Sequence, residues 1–351
     1  FYYPTYVSMF PQLIAGPIVR FSTVNEELHA RVISFDGFVD GGLRFLQGLF
    51  KKVLLANTIG AVWELIKSSA FTMGPAVASA DASSQGIVTS LQTVLGPGAT
   101  ISVLGAWLGG LCFTLQLYFD FSAYSDMAIG MGRMVGFHYM ENFNYPYTAV
   151  SVQDFWHRWH ISLSTFFRDY VYIPLGGSRC SQNKYIRNMC VVWFLTGLWH
   201  GASWNFVLWG IYYGILLLIE KFVLGKYLKK LPGVFQHIYC MFFVMLGWNL
   251  FVFDDMSAGI SFARALFGTY GAGFCSRETL YLLYNNAVLL VLLILGSTQL
   301  PARAGNWICA KLRGKETLLT IVKNVFYVGI FLLSVAWLVD ASYNPFLYFR
   351  F

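Results

Sequence analysis

Three histidines stand in an otherwise apolar chain at positions where they could do chemistry. His157 and His160 lie in "SVQDFWHRWHISLSTFFRDYVYIPLGG" (151–177), and His200 lies in "TGLWHGASWNF" (196–206). Burial lowers an imidazole's pKa and leaves a neutral ring able to accept a proton at pH 7, which is what a general base needs. A lone histidine on an apolar face also serves as a structural donor, and His200 carries both readings. An ionisable residue inside a membrane is a functional hypothesis by default, which favours the base. His157, His160 and His200 could be drawn as three metal ligands. The H-x-x-H spacing speaks against that: residues three apart on a helix are splayed by about 60°, and no glutamate follows as in H-E-x-x-H. No metal is expected.

Other chemistries find less support. No G-x-S-x-G elbow surrounds Ser122, Ser125, Ser162 or Ser164, so nucleophilic hydrolysis has no strand–turn–helix to act from. There is neither a Walker A nor a G-x-G-x-x-G phosphate cradle, which speaks against an ATP-driven pump. The six cysteines are scattered without a Cys-x-x-Cys pair and read as small buried hydrophobes. A secondary transporter is the alternative class, because Asp120 and Asp126 interrupt apolar sequence as intramembrane acids do in ion pathways.

The elements that must position these residues are membrane helices. Of 351 residues, 57% are hydrophobic and 12% charged, with a mean hydropathy of +0.56, against about 25% charged in soluble domains. The net charge of +7 sits in short stretches between apolar segments, the positive-inside pattern rather than a nucleic-acid surface. Residues 101–119 form 19 residues without a charge, enough to cross a core of about 30 Å. Further spans are predicted near 188–220, 235–253, 280–298 and 318–340. Residues 38–55 carry Asp40, Arg44, Gln47 and Lys51 on one face of an amphipathic stripe, better suited to lying in the interface than to spanning. Residues 74–100, rich in Gly, Ala, Ser and Pro, read as a polar connection. No repeat and no separate soluble domain is visible, so residues 1–351 are one membrane domain.

Loop charges place His200. Residues 178–187 (Arg179, Lys184, Arg187), 221–230 (Lys221, Lys226, Lys229, Lys230) and 303–315 (Arg303, Lys311, Arg313, Lys315) are basic, whereas 254–278 is mixed. With the basic loops in the cytoplasm, both ends of 188–220 lie on one side. The segment must then enter and return, turning near "WHGASW". Twelve helical residues from 188 reach about 18 Å, which puts His200 at or past the midplane, in a turn tolerated only inside protein or a watery cavity.

Residues 151–177 predict a single amphipathic helix, started by Ser151 and Asp154 and ended by Pro174, Gly176 and Gly177. Its apolar face would hold Val152, Phe155, Trp156, Trp159, Leu163, Phe166, Phe167 and Tyr170. Its polar face would hold His157, Arg158, His160, Ser164, Arg168 and Asp169, either as a solvated rim or as a site.

Five blocks carry a likeness to a known family: "FPQLIAGPIVRF" (10–21), "QLYFDFSAYSDMAIGMGRMVGF" (116–137), "NFNYPYTAVSVQDFWHRWHISLSTFFRDYVYIPLGG" (142–177), "FLTGLWHGASWNFVLWG" (194–210) and "SYNPFLYFRF" (342–351). They resemble the membrane-bound O-acyltransferase superfamily, in particular its bacterial alginate O-acetyltransferase-like branch. The resemblance implies an all-α integral membrane fold, a multi-span helical bundle around a transmembrane tunnel with in-plane amphipathic helices. It implies transfer of an acyl group, most simply acetyl, from a cytoplasmic thioester donor across the bacterial cytoplasmic membrane to a cell-surface or exported polysaccharide. The donor would be acetyl-CoA or an acyl carrier protein, a co-substrate rather than a bound cofactor. Its partners would be the lipid bilayer and an extracytoplasmic acetyltransferase. D-alanyl transfer to teichoic acid is the variant within the family. The resemblance makes His200 the catalytic base and His160 the second active-site residue, which we expect to position or polarise the acyl carbonyl. Asp126, Arg168, Asp169 and Asn205 are expected to support or position substrate. The chain opens "FYYPTYVSMF" without an initiator methionine, and family members carry membrane segments before the P-Q-L-I-A-G-P block. Missing N-terminal spans are therefore expected.

Overall fold

The computed structural model describes residues 2–12, 16–71, 101–269, 273–340 and 346–347. The connection predicted at 74–100 lies outside these residues. Among the described residues every regular element is helical. The architecture is the predicted helical membrane fold, with four helices long and apolar enough to cross a bilayer and a bent pair that makes a fifth.

Helix α1 (Phe35–Phe50) starts where the Ser34 hydroxyl accepts from the Gly37 amide, and it continues through a wide turn, Lys51–Ala56, into α2 (Asn57–Phe71). The long helix α3 (Val103–Met134) has 32 residues, about 48 Å at 1.5 Å per residue. It passes through Asp120 and Asp126 without a break, so the two apolar stretches read from sequence are one element. The stripe at 38–55 does not lie free in the interface, because α1 packs along α3. A Cβ on Gly41 or on Gly130 would strike the other's carbonyl oxygen, so the two backbones meet as small residues allow in lipid. The polar face turns inward for a physical reason. Arg44 and Lys51 each reach Asp126 at 2.6 Å, and Lys52, 6% exposed, pairs with Asp120, 2% exposed. Charges in apolar surroundings find each other.

Two short helices follow, α4 (Val152–Arg158) and α5 (Ile161–Phe167), and then the hairpin of α6 (Gln182–His200) and α7 (Trp204–Ile219). Gly197 and Gly210 let these arms touch, since a Cβ on Gly210 would collide with the Trp193 carbonyl. The hairpin brings the two basic stretches to one end, where the Lys221 ammonium sits 3.5 Å from the centre of the Tyr185 ring. Its arms are longer than the charge argument assumed. α6 begins at Gln182, and α7 runs on to Leu228 as a 25-residue span, about 37 Å long.

Helix α8 (Gly233–Val252) takes a hydrogen bond from the Tyr212 hydroxyl to the Phe243 carbonyl, tying it to α7. The span predicted at 280–298 is instead two helices, α9 (Arg277–Asn285) and α10 (Ala287–Gly296), bent by 59°. The Asn286 side-chain amide, bonded to the Leu282 carbonyl at 2.9 Å, competes with the helix ladder at the bend. The last helix, α11 (Glu316–Asp340), lies against α1, where Gln47 donates to the Tyr327 hydroxyl at 2.7 Å. The buried core sits between α2, α3, α7 and α8, and Trp63, Trp209, Trp248 and Tyr213 are its largest fully enclosed side chains.

Candidate active site

The start of α4 is set by its own sequence and by a distant carboxylate. The Ser151 hydroxyl accepts from the Asp154 amide at 3.0 Å. Glu220, at the end of α7, accepts from the Val152 and Gln153 amides at 2.7 and 3.0 Å, so a negative charge caps the helix N-terminus. This pins the α4–α5 pair to the hairpin. The predicted stop at Pro174, Gly176 and Gly177 falls where expected, after a wide turn at Arg168–Tyr172.

The single helix expected over 151–177 breaks in the middle. His160 is left-handed, with φ 46° and ψ 55°, a conformation that costs a non-glycine residue roughly 1–2 kcal/mol. The segment before α4 takes up the backbone groups that a continuous helix would use. The Ile161 amide donates to the Asn142 carbonyl and the Asn144 amide to the Arg158 carbonyl, each at 2.9 Å. The break swings His160 off the polar face and into the core, 3% exposed, while His157 remains exposed. The two histidines therefore do not share a side. Phe166 and Tyr170, placed on the apolar face by periodicity, are exposed.

His160 meets a closed polar cluster. Its Nδ1 lies 3.0 Å from Asn142 Oδ1, which also accepts from the Ser162 amide at 3.2 Å and the Ser162 hydroxyl at 2.8 Å. The other side of Asn142 donates to the Ser125 hydroxyl on α3 at 3.1 Å. Phe121 stands edge-on to the His160 ring, with centroids 4.8 Å apart. Burial, with His200 close enough to add to it, pulls the His160 imidazole well below the ordinary histidine range, so the ring is neutral.

His200 ends α6 inside an aromatic cage. Its ring centroid lies 5.0 Å from Trp199, 5.1 Å from Trp209 and 5.3 Å from Phe251. Trp199 also faces His160 at 6.1 Å, so one indole links the two imidazoles. His200 opens onto a cavity lined by Leu117, Asp120, Phe121, Trp209, Trp248 and Phe251, among others. About 40 Å³ is open to the centre of a water molecule, room for two or three waters. At one end the Asp120–Lys52 pair is covered by residues 346–347, where the Leu347 amide donates to Asp120 at 2.8 Å. Among the described residues nothing hydrogen-bonds the His200 ring.

The remaining residues named from sequence divide. Asn205 is fully buried beside this site, and its amide donates to the Phe251 carbonyl at 3.1 Å, which steadies a cavity wall. Asp126 lies on α3 but is held by Arg44 and Lys51 and does not line the cavity. Arg168 and Asp169 lie at the outer surface, where Arg168 and Arg20 hold the Asp169 carboxyl at about 2. Asn142, Lys52 and Trp209 escaped the sequence reading. The signal for Asn142 was a buried-type amide in the aromatic run "ENFNYPY"; for Lys52 it was a second cation matching the second acid of α3.

Such a bundle of membrane helices sets one imidazole, His200, in the wall of an aromatic cavity and buries a second, His160, across the Trp199 ring from it. The chain belongs to the membrane-bound O-acyltransferase family, whose model matches residues 1–262. It is 38% identical over 265 residues to a protein of Azotobacter vinelandii named "Probable alginate O-acetylase AlgI", covering 76% of this chain and 47% of that one. It is 34% identical to the protein of the same name from Pseudomonas putida, covering 99% and 68%. To the peptidoglycan O-acetyltransferase of Helicobacter pylori it is 34% identical, covering 78% and 48%. The chain spans about half the length of most of the curated relatives it matches.

Proposed function

We propose that the protein O-acetylates a cell-surface or exported polysaccharide, taking the acetyl group from a cytoplasmic thioester across the bacterial cytoplasmic membrane. The observation that carries this reading is His200: an imidazole inside the membrane domain, free of protein hydrogen bonds among the described residues and open to a small aromatic cavity. In the reaction an acceptor hydroxyl attacks the thioester carbonyl carbon while His200 takes its proton. The tetrahedral oxyanion collapses, the C–S bond breaks, and the proton on His200 passes to the leaving thiolate. The products are an ester and a free thiol. The aromatic walls exclude the water that would hydrolyse the thioester. Acetyl-CoA and an acyl carrier protein are the two donor classes, and the acceptor at the outer face is an extracytoplasmic acetyltransferase or the polysaccharide itself.

The cavity's chemistry favours acetyl over D-alanyl. A D-alanyl group carries an ammonium, and among the described lining residues the one acid is Asp120, already paired with Lys52. The test supplies purified protein in vesicles with a thioester labelled in its acyl group, together with an oligosaccharide acceptor and membranes of the source bacterium. Alkali-labile label on carbohydrate is expected. Ion-coupled accumulation of a solute with no ester formed would show a transporter instead.

A further inference from the structure

His160 was expected to position or polarise the acyl carbonyl, and the hydrogen bonds around it decide between donor and acceptor. The Ser162 backbone amide can only donate, so the Asn142 atom 3.2 Å from it is the oxygen. That same oxygen lies 3.0 Å from His160 Nδ1. An amide oxygen can only accept, so Nδ1 carries the proton, and in a neutral ring Nε2 is then a bare lone pair. A neutral imidazole in this tautomer cannot donate to a carbonyl oxygen. We infer that Asn142 is a positioning residue that fixes His160 as a hydrogen-bond acceptor at Nε2, so that a substrate group reaching His160 must donate to it: a hydroxyl of the acyl acceptor other than the attacking one, and not the acyl carbonyl.

The cluster is built to hold that state. Asn142 is fully buried, and its oxygen takes three donors while its amide is held by Ser125. The same contacts brace His160 in its left-handed conformation, which persists where surroundings over-determine it. The groups facing the ring are Asn142, Ser162, Phe121, Trp199 and His200, and of these only His200 carries an ionisable side chain. The carbonyl oxygen is left to another donor.

The identity of the bound hydroxyl rests on the acyl-transfer reading; the tautomer does not. The test is the Asn142→Asp variant, near-isosteric and still able to accept all three bonds. Its carboxylate raises the His160 pKa, so transfer is expected to stay within about threefold of wild type at pH 8.5 and to fall at least tenfold by pH 6 along a new acid limb, each tenfold being 1.4 kcal/mol. A gain of activity on the acid side would make His160 a donor and overturn the inference, and so would a change equal at every pH. Nitrogen-15 spectra of histidine-labelled wild-type protein, assigned with His160→Gln, read the tautomer with no acyl donor present and serve if the Asp variant fails to insert. Protonated Nδ1 with bare Nε2 is expected, and the reverse would overturn the inference. Correct nitrogen spectra without any acyl transfer would instead sink the function and leave the tautomer standing.

Discussion

Replacing His200 with alanine is expected to lower acetyl transfer by about 10²–10⁴-fold, the range that a positioned general base supplies. The prediction follows from what the ring touches. Trp199, Trp209 and Phe251 hold it on three sides, and among the described residues no protein group claims its nitrogens. A histidine kept for structure alone would have its ring nitrogens taken up by buried protein groups. Alanine also empties space beside those rings, so a volume-keeping variant separates chemistry from packing. His200→Gln fills the site but cannot take up a proton at neutral pH, and it should lose the same activity with an unchanged melting midpoint. Initial rates of ester formation in vesicles, normalised to inserted protein, check both. A rate within threefold of wild type in His200→Gln would remove the base from the account.

The second large effect concerns the buried pair at the end of the cavity. Asp120→Ala removes the carboxylate from Lys52, 6% exposed, and breaking one side of a buried ion pair costs about 3–5 kcal/mol. It also frees the Leu347 amide and so uncovers the cavity. We expect a large loss of folded protein in the membrane and a lower melting midpoint in detergent. Asp120→Asn combined with Lys52→Met removes both charges and should recover most of that loss, because replacing a whole pair with packed neutral groups is often near neutral. Melting curves of the single and double variants decide. An equal drop in both would mean that the two charges are not acting as a unit.

How much of this was legible in the sequence differs by the kind of signal. Apolar length located α3, α8 and α11 because lipid demands it, and loop charge found the hairpin because Arg179, Lys184, Arg187 and the lysines of 221–230 must share an end. Periodicity failed at residues 151–177. The pattern there is helical on both sides of His160, and nothing local announces that Asn142 will take the Ile161 amide and Asn144 the Arg158 carbonyl. The break is a tertiary effect, and the inward turn of His160 depends on it. The same limit hid the pairing of Lys52 with Asp120, 68 positions apart, and it made α1 look like an interfacial helix when its charges face α3. Asp126, Arg168 and Asp169 were chosen for charge and nearness in sequence. Their charges are used in ion pairs outside the cavity wall. His200 and Asn205 lay in one short apolar block, where local sequence and local structure coincide.

In the proposed function an acyl group passes through this protein from one side of the membrane to the other by way of His200. The most direct test seals the labelled acetyl thioester inside vesicles holding the protein in one orientation and places the acceptor outside. Labelled ester on the outer acceptor, formed without leakage of donor and lost in His200→Gln, is the predicted result. Label that reaches the acceptor only after the vesicles are broken, or that still reaches it in His200→Gln, would overturn transfer through His200.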